Sequence, residues 1–314
     1  MDLMADIGAT NTRCALLDDK GQELASEVFQ NSDFTGLAGL LSVYLDHRRA
    51  TDRPKRAALA VAAPILGDNV QMINLDWRFS QAALKQELHL SELIVVNDFA
   101  AIAWGLPHLR AADLRKIGGG APSGRGTLAA VGPGTGLGIA ALVPASDGWA
   151  VVSGEGGHST LPATTEEEQR VIELVRKQEG HCSAESFLSG PGLVRLYVTL
   201  AELAGRGRPT VTPQDVTSLA KGSEPLARKA QAMFFAMLGT VAGNVAMTVG
   251  ARGGVFIAGG IVPQLLDALA KSEFRERFEA KGSYRAYMQA IPTHVITEPL
   301  PAFRGLRGLL GYRG

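Results

Sequence analysis

The apolar and polar positions along this chain alternate between short apolar runs and longer amphipathic segments. Short apolar runs bounded by Gly, Asn or Asp are typical of buried strands. The longer segments near 81–88, at 99–105 and after Thr165 are predicted to be helices. The last of these begins with Thr165 and Glu168 at the spacing of a capping box and is expected to end at Gly180. Strands that alternate with helices predict α/β lobes with mixed sheets. The runs predicted as strands are residues 3–6, 14–17, 57–63, 93–96, 127–131, 139–143 and 255–258.

A strand–turn–strand pattern occurs twice in the chain. The turn at 8–13 separates the first pair of apolar runs, and the turn at 132–138 separates a later pair. Gly and Asn in these turns are the residues that supply the positive φ of a tight hairpin. Two copies at such a distance predict an internally duplicated architecture in which one copy opens each of two lobes.

A Gly-rich segment at 118–126 precedes the second copy and is typical of a linker. We place the lobe boundary near 107–126. The prediction is a small N-terminal α/β lobe over 1–110 and a larger α/β lobe over 111–299. The 314 residues are enough for two domains of ordinary size.

Composition narrows the classes of function. Lys plus Arg and Asp plus Glu both number 31, so the formal net charge is zero. A neutral chain lacks the basic field that nucleic-acid binding usually requires, and we expect no nucleic-acid partner. Two distant cysteines, Cys14 and Cys182, can form neither a disulfide framework nor a Cys-rich zinc site. We expect neither a signal peptide nor an uncharged apolar stretch of membrane-spanning length, and therefore a cytoplasmic protein with no membrane partner.

The two Gly-rich turns are candidates for polyphosphate binding. No P-loop motif is present, and Leu137 stands where a dinucleotide-binding turn requires its last Gly. Backbone N–H groups and the hydroxyls of Thr10 and Thr135 suit phosphate oxygens, with Mg²⁺ neutralising charge in place of a lysine. Asp6, at the end of the first strand, could hold the metal directly or through water. The alternative is that both turns are Gly-rich for hairpin geometry alone.

A second group of polar residues lies at a strand end and in Gly-rich segments. Asn97 and Asp98 follow a buried strand where open α/β sheets place catalytic carboxylates, although Asp98 could be only a helix N-cap. Glu155 and His158 have room to reach a ligand, or belong to a solvated loop. Glu185 could simply favour a helix dipole. Together these side chains could hold several sugar hydroxyls.

At these residues the chain resembles a known superfamily. Residues 6–13 resemble the first phosphate motif of the sugar kinase/actin/Hsp70 superfamily, residues 132–138 its second and residues 255–263 its adenosine motif. The segments 97–99, 154–158 and 183–192 are similar to those of the bacterial glucokinase family, in its branch without zinc. The resemblance runs from about residue 3 to the C-terminus. It implies a two-lobed actin-like (ribonuclease H-like) ATPase fold with mixed sheets and a central cleft.

The resemblance also implies an activity and a set of roles. The expected reaction transfers the γ-phosphoryl group of ATP to the 6-hydroxyl of glucose, the first step of glycolysis. Asp98 would be the general base, and Asn97, Glu155, His158 and Glu185 would bind the sugar. ATP and Mg²⁺ would be the cofactors, with Asp6 holding the metal through water and the ATP phosphates, and the protein would be a homodimer. The nucleotide would be bound by Asp6, Gly8, Ala9, Thr10, Asn11, Thr135, Gly136, Gly259 and Gly260.

The sequence departs from the family pattern at three places. Ala9 stands where the family usually has a second Gly, and Pro133 stiffens the second turn. Both could alter ATP affinity without removing the site. The tail at 303–311 is Gly-rich, although in the family this end is a helix that returns to the N-terminal lobe. We expect 300–314 to pack there, but its three helix-weakening glycines put the order of this segment in question.

Two other functions are compatible with the same fold. One is a sugar-sensing regulator, whose relatives carry a DNA-binding helix-turn-helix before the first phosphate motif; we expect none here because that motif begins at Asp6. The other is a kinase of a related hexose, and the zinc-dependent kinases of that kind carry a Cys-rich cluster that this sequence lacks. The sequence leaves two questions open: how strictly glucose is preferred, and whether the phosphoryl donor is ATP, ADP or polyphosphate.

Overall fold

The computed structural model describes residues 1–48, 53–73 and 75–312. The chain forms two compact units. The first comprises Met1–Asp113, Val151–Gly154 and the C-terminal stretch from Glu298. The second comprises Leu114–Ala150 and Glu155–Thr297. Each unit has a hydrophobic core of its own.

Strands and helices alternate along most of the chain, as the apolar pattern predicts. The strands are β1 (Asp2–Ile7), β2 (Asn11–Leu17), β3 (Glu23–Gln30), β4 (Arg56–Val61), β5 (Asn69–Gln71), β6 (Arg78–Ser80), β7 (Glu92–Asn97), β8 (Leu114–Gly118), β9 (Leu128–Pro133), β10 (Leu137–Ala145), β11 (Gly148–Gly154), β12 (Gly254–Ile257) and β13 (Thr293–Ile296). The helices are α1 (Leu37–Asp46), α2 (Gln81–Glu87), α3 (Asp98–Gly105), α4 (Glu166–Glu179), α5 (Gly190–Leu203), α6 (Pro213–Lys221), α7 (Pro225–Val249), α8 (Leu266–Ala270), α9 (Phe274–Glu279), α10 (Arg285–Ala290) and α11 (Pro301–Leu309).

The main sheets of the two units repeat one strand order. The first has the order β3-β2-β1-β4-β7, and the second has β11-β10-β9-β12-β13 with β8 added at the edge. In both, the opening hairpin is antiparallel and the next two strands are parallel to its first strand. The predicted internal duplication is thus confirmed by topology. β1, β4 and β7 end at the same edge of their sheet, and this edge positions the candidate site.

Local sequence signals explain several helix ends. Thr165 is the N-cap of α4 and accepts from the Glu168 N–H, and Gly180 ends the helix with φ of 80°. The predicted capping box is only half formed, because the Glu168 carboxylate accepts from the N–H of Thr164 (2.7 Å), the residue before the cap. A reciprocal box occurs instead at the start of α6, between Thr212 and Asp215.

The two Gly-rich turns do not use positive φ. Neither Asn11 nor any of Gly8, Gly134 and Gly136 is among the described residues with positive φ, so that part of the prediction is wrong. Three residues separate β1 from β2, and none of them has positive φ, although hairpin loops of this length commonly include a left-handed residue. The Gly8 N–H closes the turn on the Asn11 carbonyl at 3.0 Å.

Helix α7 corrects the expectation that no uncharged apolar stretch reaches membrane-spanning length. It has 25 residues and a window of mean hydropathy 1.6, and among the described residues it alone is long and apolar enough to cross a bilayer. However, 67% of that window is buried inside the structure. Phe234, Phe235, Met237 and Leu238 belong to the core of the second unit. The composition of α7 is therefore that of a core helix, which passes the same test.

The C-terminal segment forms a helix in spite of its glycines. Helix α11 packs against α3 within the first unit. A Cβ on Gly305 would overlap the Ala101 carbonyl oxygen, and a Cβ on Gly105 would lie 2.7 Å from the carbonyl oxygen of Pro301. The glycines therefore allow the two helix backbones to approach closely. Burial of Phe303 and Leu306 offsets their low helix propensity.

We expect Gly305→Ala to lower the free energy of unfolding by about 1–3 kcal/mol, because the added methyl group has no room against a backbone carbonyl. Gly39→Ala is the matched control, because Gly39 lies within α1 with no atom within 4 Å of its Cβ position. This change should raise the free energy of unfolding by about 0.5–1 kcal/mol. Urea unfolding of both variants measures the difference. Equal shifts in the two variants would contradict the close approach of α11 to α3.

Candidate active site

The carboxyl edge of the first sheet brings two aspartates together. Asp6 lies one residue before the end of β1, and Asp98 follows β7 as the first residue of α3. Because β1, β4 and β7 are parallel, their carboxyl ends meet at one edge, where open α/β sheets bind ligands. Asp98 is close enough to Asp6 for its negative charge to raise the pKa of Asp6.

The pKa of Asp6 is raised to about 6. Burial is the main cause, because an ionised carboxylate loses hydration there, and the charge of Asp98 adds to it. Arg13, which lies opposite Asp6 in the β1–β2 pair, acts in the other direction. The edge of the sheet thus holds a carboxylate that changes its charge near pH 6.

Asn97, and not Asp98, is the N-cap of α3. The Asn97 Oδ1 accepts from the N–H groups of Phe99 (3.0 Å) and Ala100 (3.3 Å), and its Nδ2 donates to the Ala63 carbonyl (3.3 Å). The Asp98 Oδ1 accepts from the Phe99 N–H at 2.8 Å. The N-cap interpretation of Asp98 is therefore wrong, because Asn97 holds that position and Asp98 is the first residue of the helix itself.

The turn after β1 is held by a buried asparagine that the sequence analysis missed. Asn31, 1% exposed, donates from Nδ2 to the Gly8 carbonyl (2.9 Å) and accepts from the Thr12 hydroxyl (2.8 Å). Its backbone N–H donates to the Thr10 carbonyl (2.9 Å). No local motif marks this residue, because it follows β3 and reaches the turn only through the fold. Within this turn, Thr10 and Asn11 are exposed.

In the second unit, the turn between β9 and β10 packs directly on Glu185. The Leu137 N–H donates to the Glu185 Oε2 at 2.7 Å. The same oxygen occupies the place where a Cβ of Gly136 would lie, so a side chain there would displace the carboxylate. Thr135, at the tip of the turn, is exposed. Glycine at position 136 leaves room for this approach of the carboxylate.

Glu185 also lies beside the predicted sugar-binding turn. The Glu185 Oε1 is 3.9 Å from the His158 Nε2, and the Glu185 N–H donates to the Gly157 carbonyl at 2.8 Å. The side chains of Glu155 and His158 are exposed. Helix α5 begins only at Gly190 with another residue as its cap, so the helix-dipole interpretation of Glu185 is wrong.

The end of β12 borders a small cavity in the second unit. Gly259 has φ of 86°, and a Cβ there would overlap the Pro133 carbonyl, which explains the glycine. Gly260 lines a cavity of about 100 Å³. The sequence analysis missed the polar residues in its wall: Gln214, Thr217 and Lys221 come from the separate helix α6, and Gln264 lies one residue beyond the segment 255–263. The lining is Leu193, Pro213, Gln214, Thr217, Lys221, Gly260, Ile261, Gln264 and Leu265.

The structure therefore divides the predicted site residues into two sets. The first unit brings together the β1 turn and the start of α3, with Asp6, Gly8, Ala9, Thr10, Asn11, Asn97 and Asp98. The second holds Thr135, Gly136, Glu155, His158, Glu185, Gly259 and Gly260. Among the described residues, no group of three or more His, Cys, Asp or Glu side chains is placed to hold a metal ion.

Comparisons with known proteins agree with these features. The family model for glucokinase matches residues 3–311. A glucokinase of Paramagnetospirillum magneticum is 46% identical over 312 residues, which cover 99% of this chain and 97% of that protein. The crystal structure of a glucokinase from an Antarctic psychrotroph is 35% identical, with a TM-score of 0.87 over 99% of this chain and 98% of that one.

A more distant structure shows the fold alone. It is a glucokinase of the ROK family from Streptomyces griseus in complex with glucose and AMPPNP, 17% identical, with a TM-score of 0.66 over 98% of both chains. The two α/β units with mixed sheets have the actin-like fold of these sugar kinases. On the family model and the relatives, this chain belongs to the glucokinase family.

Proposed function

We propose that the protein transfers the γ-phosphoryl group of ATP to the 6-hydroxyl of glucose and releases glucose 6-phosphate and ADP. The observation that carries the proposal is the carboxylate of Asp98 at the start of α3, next to the buried Asp6 and at the same sheet edge as the first Gly-rich turn. Membership of the glucokinase family supports the choice of substrates.

Asp98 acts as the general base in this proposal. The glucose 6-hydroxyl gives its proton to the Asp98 carboxylate as its oxygen forms the new bond to the γ-phosphorus. The bond from that phosphorus to the β–γ bridging oxygen breaks, and ADP leaves. Phosphoryl transfer depends mainly on positioning and on charge neutralisation, and a single carboxylate is enough to accept the proton.

The other sugar hydroxyls bind to the remaining polar side chains. Glu155 and Glu185 accept hydrogen bonds, and the exposed imidazole of His158 lies beside Glu185. Asn97 contributes less than the motif suggests, because its Oδ1 already caps α3. Its Nδ2 donates one hydrogen to Ala63 and has a second for the sugar.

The ATP phosphates bind to backbone N–H groups and hydroxyls of the two turns, from Gly8 to Asn11 and at Thr135 and Gly136. Asp6 would hold Mg²⁺, through water and together with the ATP phosphates. The residues present fit this ion, since Mg²⁺ is usually bound by one or two carboxylates together with substrate phosphates. Bound Mg²⁺ supplies neutralisation of the phosphate charge. With a pKa of about 6, Asp6 is mostly ionised at neutral pH, as a cation site requires.

The adenosine lies against Gly259 and Gly260, in the cavity that Gly260 lines. Ile261 offers an apolar wall to the base, while Gln214 and Thr217 offer polar groups. We further propose that the protein acts as a cytoplasmic homodimer with no membrane partner and no nucleic-acid partner. The zero formal net charge supports the last of these, because it provides no broad basic field.

A coupled assay tests the proposed function. Glucose, mannose, fructose and N-acetylglucosamine are each supplied with ATP, ADP or polyphosphate, with Mg²⁺ or with a chelator. We expect the highest kcat/KM with glucose, ATP and Mg²⁺. For a sugar that makes one hydrogen bond fewer to a charged side chain, kcat/KM should be about ten- to a hundredfold lower. If the protein binds sugar but shows no turnover with any donor, the sugar-sensing function is favoured instead. If another hexose has a higher kcat/KM than glucose, the protein is a kinase of that hexose.

A further inference from the structure

One sugar-site residue in the second unit also holds the phosphate turn. The carboxylate of Glu185 accepts from the Leu137 N–H at 2.7 Å, directly after Gly136. This contact joins two segments that the proposed function assigns to different substrates, glucose and ATP. The inference below rests on that proposed function.

Among the residues that the structure describes, two hydrogen bonds from outside hold this turn in place. The Gly190 N–H donates to the Gly134 carbonyl at 2.8 Å, and Leu137 donates to Glu185. Inside the turn, the Gly134 N–H donates to the Gly136 carbonyl at 2.8 Å. The turn is therefore fixed on one side by the backbone of α5 and on the other by a side chain.

Glu185 itself is well anchored. Its N–H donates to the Gly157 carbonyl at 2.8 Å, and a Cβ on Gly157 would overlap the Leu137 carbonyl. The Glu185 side chain is 32% exposed, so one carboxylate oxygen can hold the turn while the other, 3.9 Å from the His158 Nε2, meets a ligand. The absence of a side chain at Gly136 lets the carboxylate reach the Leu137 N–H.

We propose that Glu185 is a positioning residue for the phosphate turn, in addition to its role toward glucose. Without its carboxylate, the Leu137 N–H loses its acceptor and the Thr135–Gly136 segment loses one of its two external attachments. The turn then samples more conformations, and phosphate binding must order it again. Nucleotide affinity therefore depends on Glu185 even when no sugar is present.

The test uses two variants of matched length. Glu185→Gln and Glu185→Met both remove the negative charge, which by itself would repel phosphates, but only glutamine retains an acceptor for the Leu137 N–H. Titration calorimetry with AMPPNP and Mg²⁺, without sugar, should give a Kd about three- to tenfold higher for Glu185→Met than for Glu185→Gln. Glu155→Gln is the control: it should weaken glucose binding and leave the AMPPNP Kd unchanged. Thermal unfolding confirms that each variant is folded.

A reciprocal pair keeps the inference testable if Glu185→Met does not fold. The methyl group of Gly136→Ala would displace the Glu185 carboxylate, whereas Gly134→Ala, in the same turn, has no atom within 4 Å of its added Cβ. With no nucleotide present, Gly136→Ala should weaken glucose binding by about tenfold. Gly134→Ala should leave glucose binding unchanged.

Equal AMPPNP affinities for Glu185→Gln and Glu185→Met, in a protein that binds and phosphorylates glucose, would overturn this inference and leave the proposed function intact. Equal glucose affinities for Gly136→Ala and Gly134→Ala would count against it in the same way. An unsubstituted protein that binds neither glucose nor AMPPNP would overturn the proposed function, and with it the inference.

Discussion

Replacing Asp98 with asparagine is expected to lower kcat by about 10²–10⁴-fold, the usual contribution of a general base. Asparagine has nearly the same shape and can still accept from the Phe99 N–H, but it cannot accept a proton. Folding should be unchanged, because the cap of α3 is Asn97. Glucose affinity should change little. Turnover, calorimetry with glucose and thermal unfolding of this one variant measure all three quantities.

Asn97→Ala provides the contrast. It removes the cap from α3 and should cost about 0.5–2 kcal/mol of stability, with a smaller loss of turnover than Asp98→Asn. The two neighbouring residues would then separate helix capping from catalysis. Normal turnover in a properly folded Asp98→Asn protein would falsify the role of Asp98 as the base.

Asp6→Asn is expected to stabilise the protein at neutral pH while damaging its function. A pKa raised from 3.8 to about 6 means that the ionised carboxylate costs up to about 3 kcal/mol in the folded state above pH 6. Asparagine removes this cost. It also removes the charge that would hold the cation, so half-maximal activity should need about 10–100 times more Mg²⁺. Urea unfolding and Mg²⁺ titration of the activity measure the two effects.

The stability difference should depend on pH in one direction. Because the folded state raises the pKa of Asp6, the unsubstituted protein loses stability as pH rises from about 4 to 6, and the gain from Asp6→Asn grows over that interval. Near pH 4 the two proteins should be almost equally stable. The gain should also shrink in an Asp98→Asn background, because one of the two causes of the raised pKa is then absent. A gain that does not vary with pH would show that Asp6 is not the buried, titrating carboxylate.

Much of this architecture follows from local sequence patterns. The apolar runs predict β1, β2, β4, β7, β9, β10 and β12 to within a few residues, since a buried strand needs an apolar run whatever surrounds it. The two strand–turn–strand copies predict the internal duplication, which the strand orders of the two sheets then show in detail. The segments that carry the candidate site, at strand ends and in Gly-rich turns, could be located in the same way. Their motifs also identified the family.

The role of individual residues was decided by contacts between distant parts of the chain. Gly136 is small because Glu185, 49 positions later, packs against it, and Gly305 is small because Ala101 lies against it. The capping interpretation of Asp98 failed because its neighbour Asn97 took that role, and Asn31 reaches the first turn only once β3 pairs with β2. A hydrophobic period records which face of an element is buried, but not which atoms lie opposite a given backbone group. The sequence by itself thus determined the elements, their order and the family, while the tertiary structure decided which side chains hold the turns and which carboxylate is buried beside another.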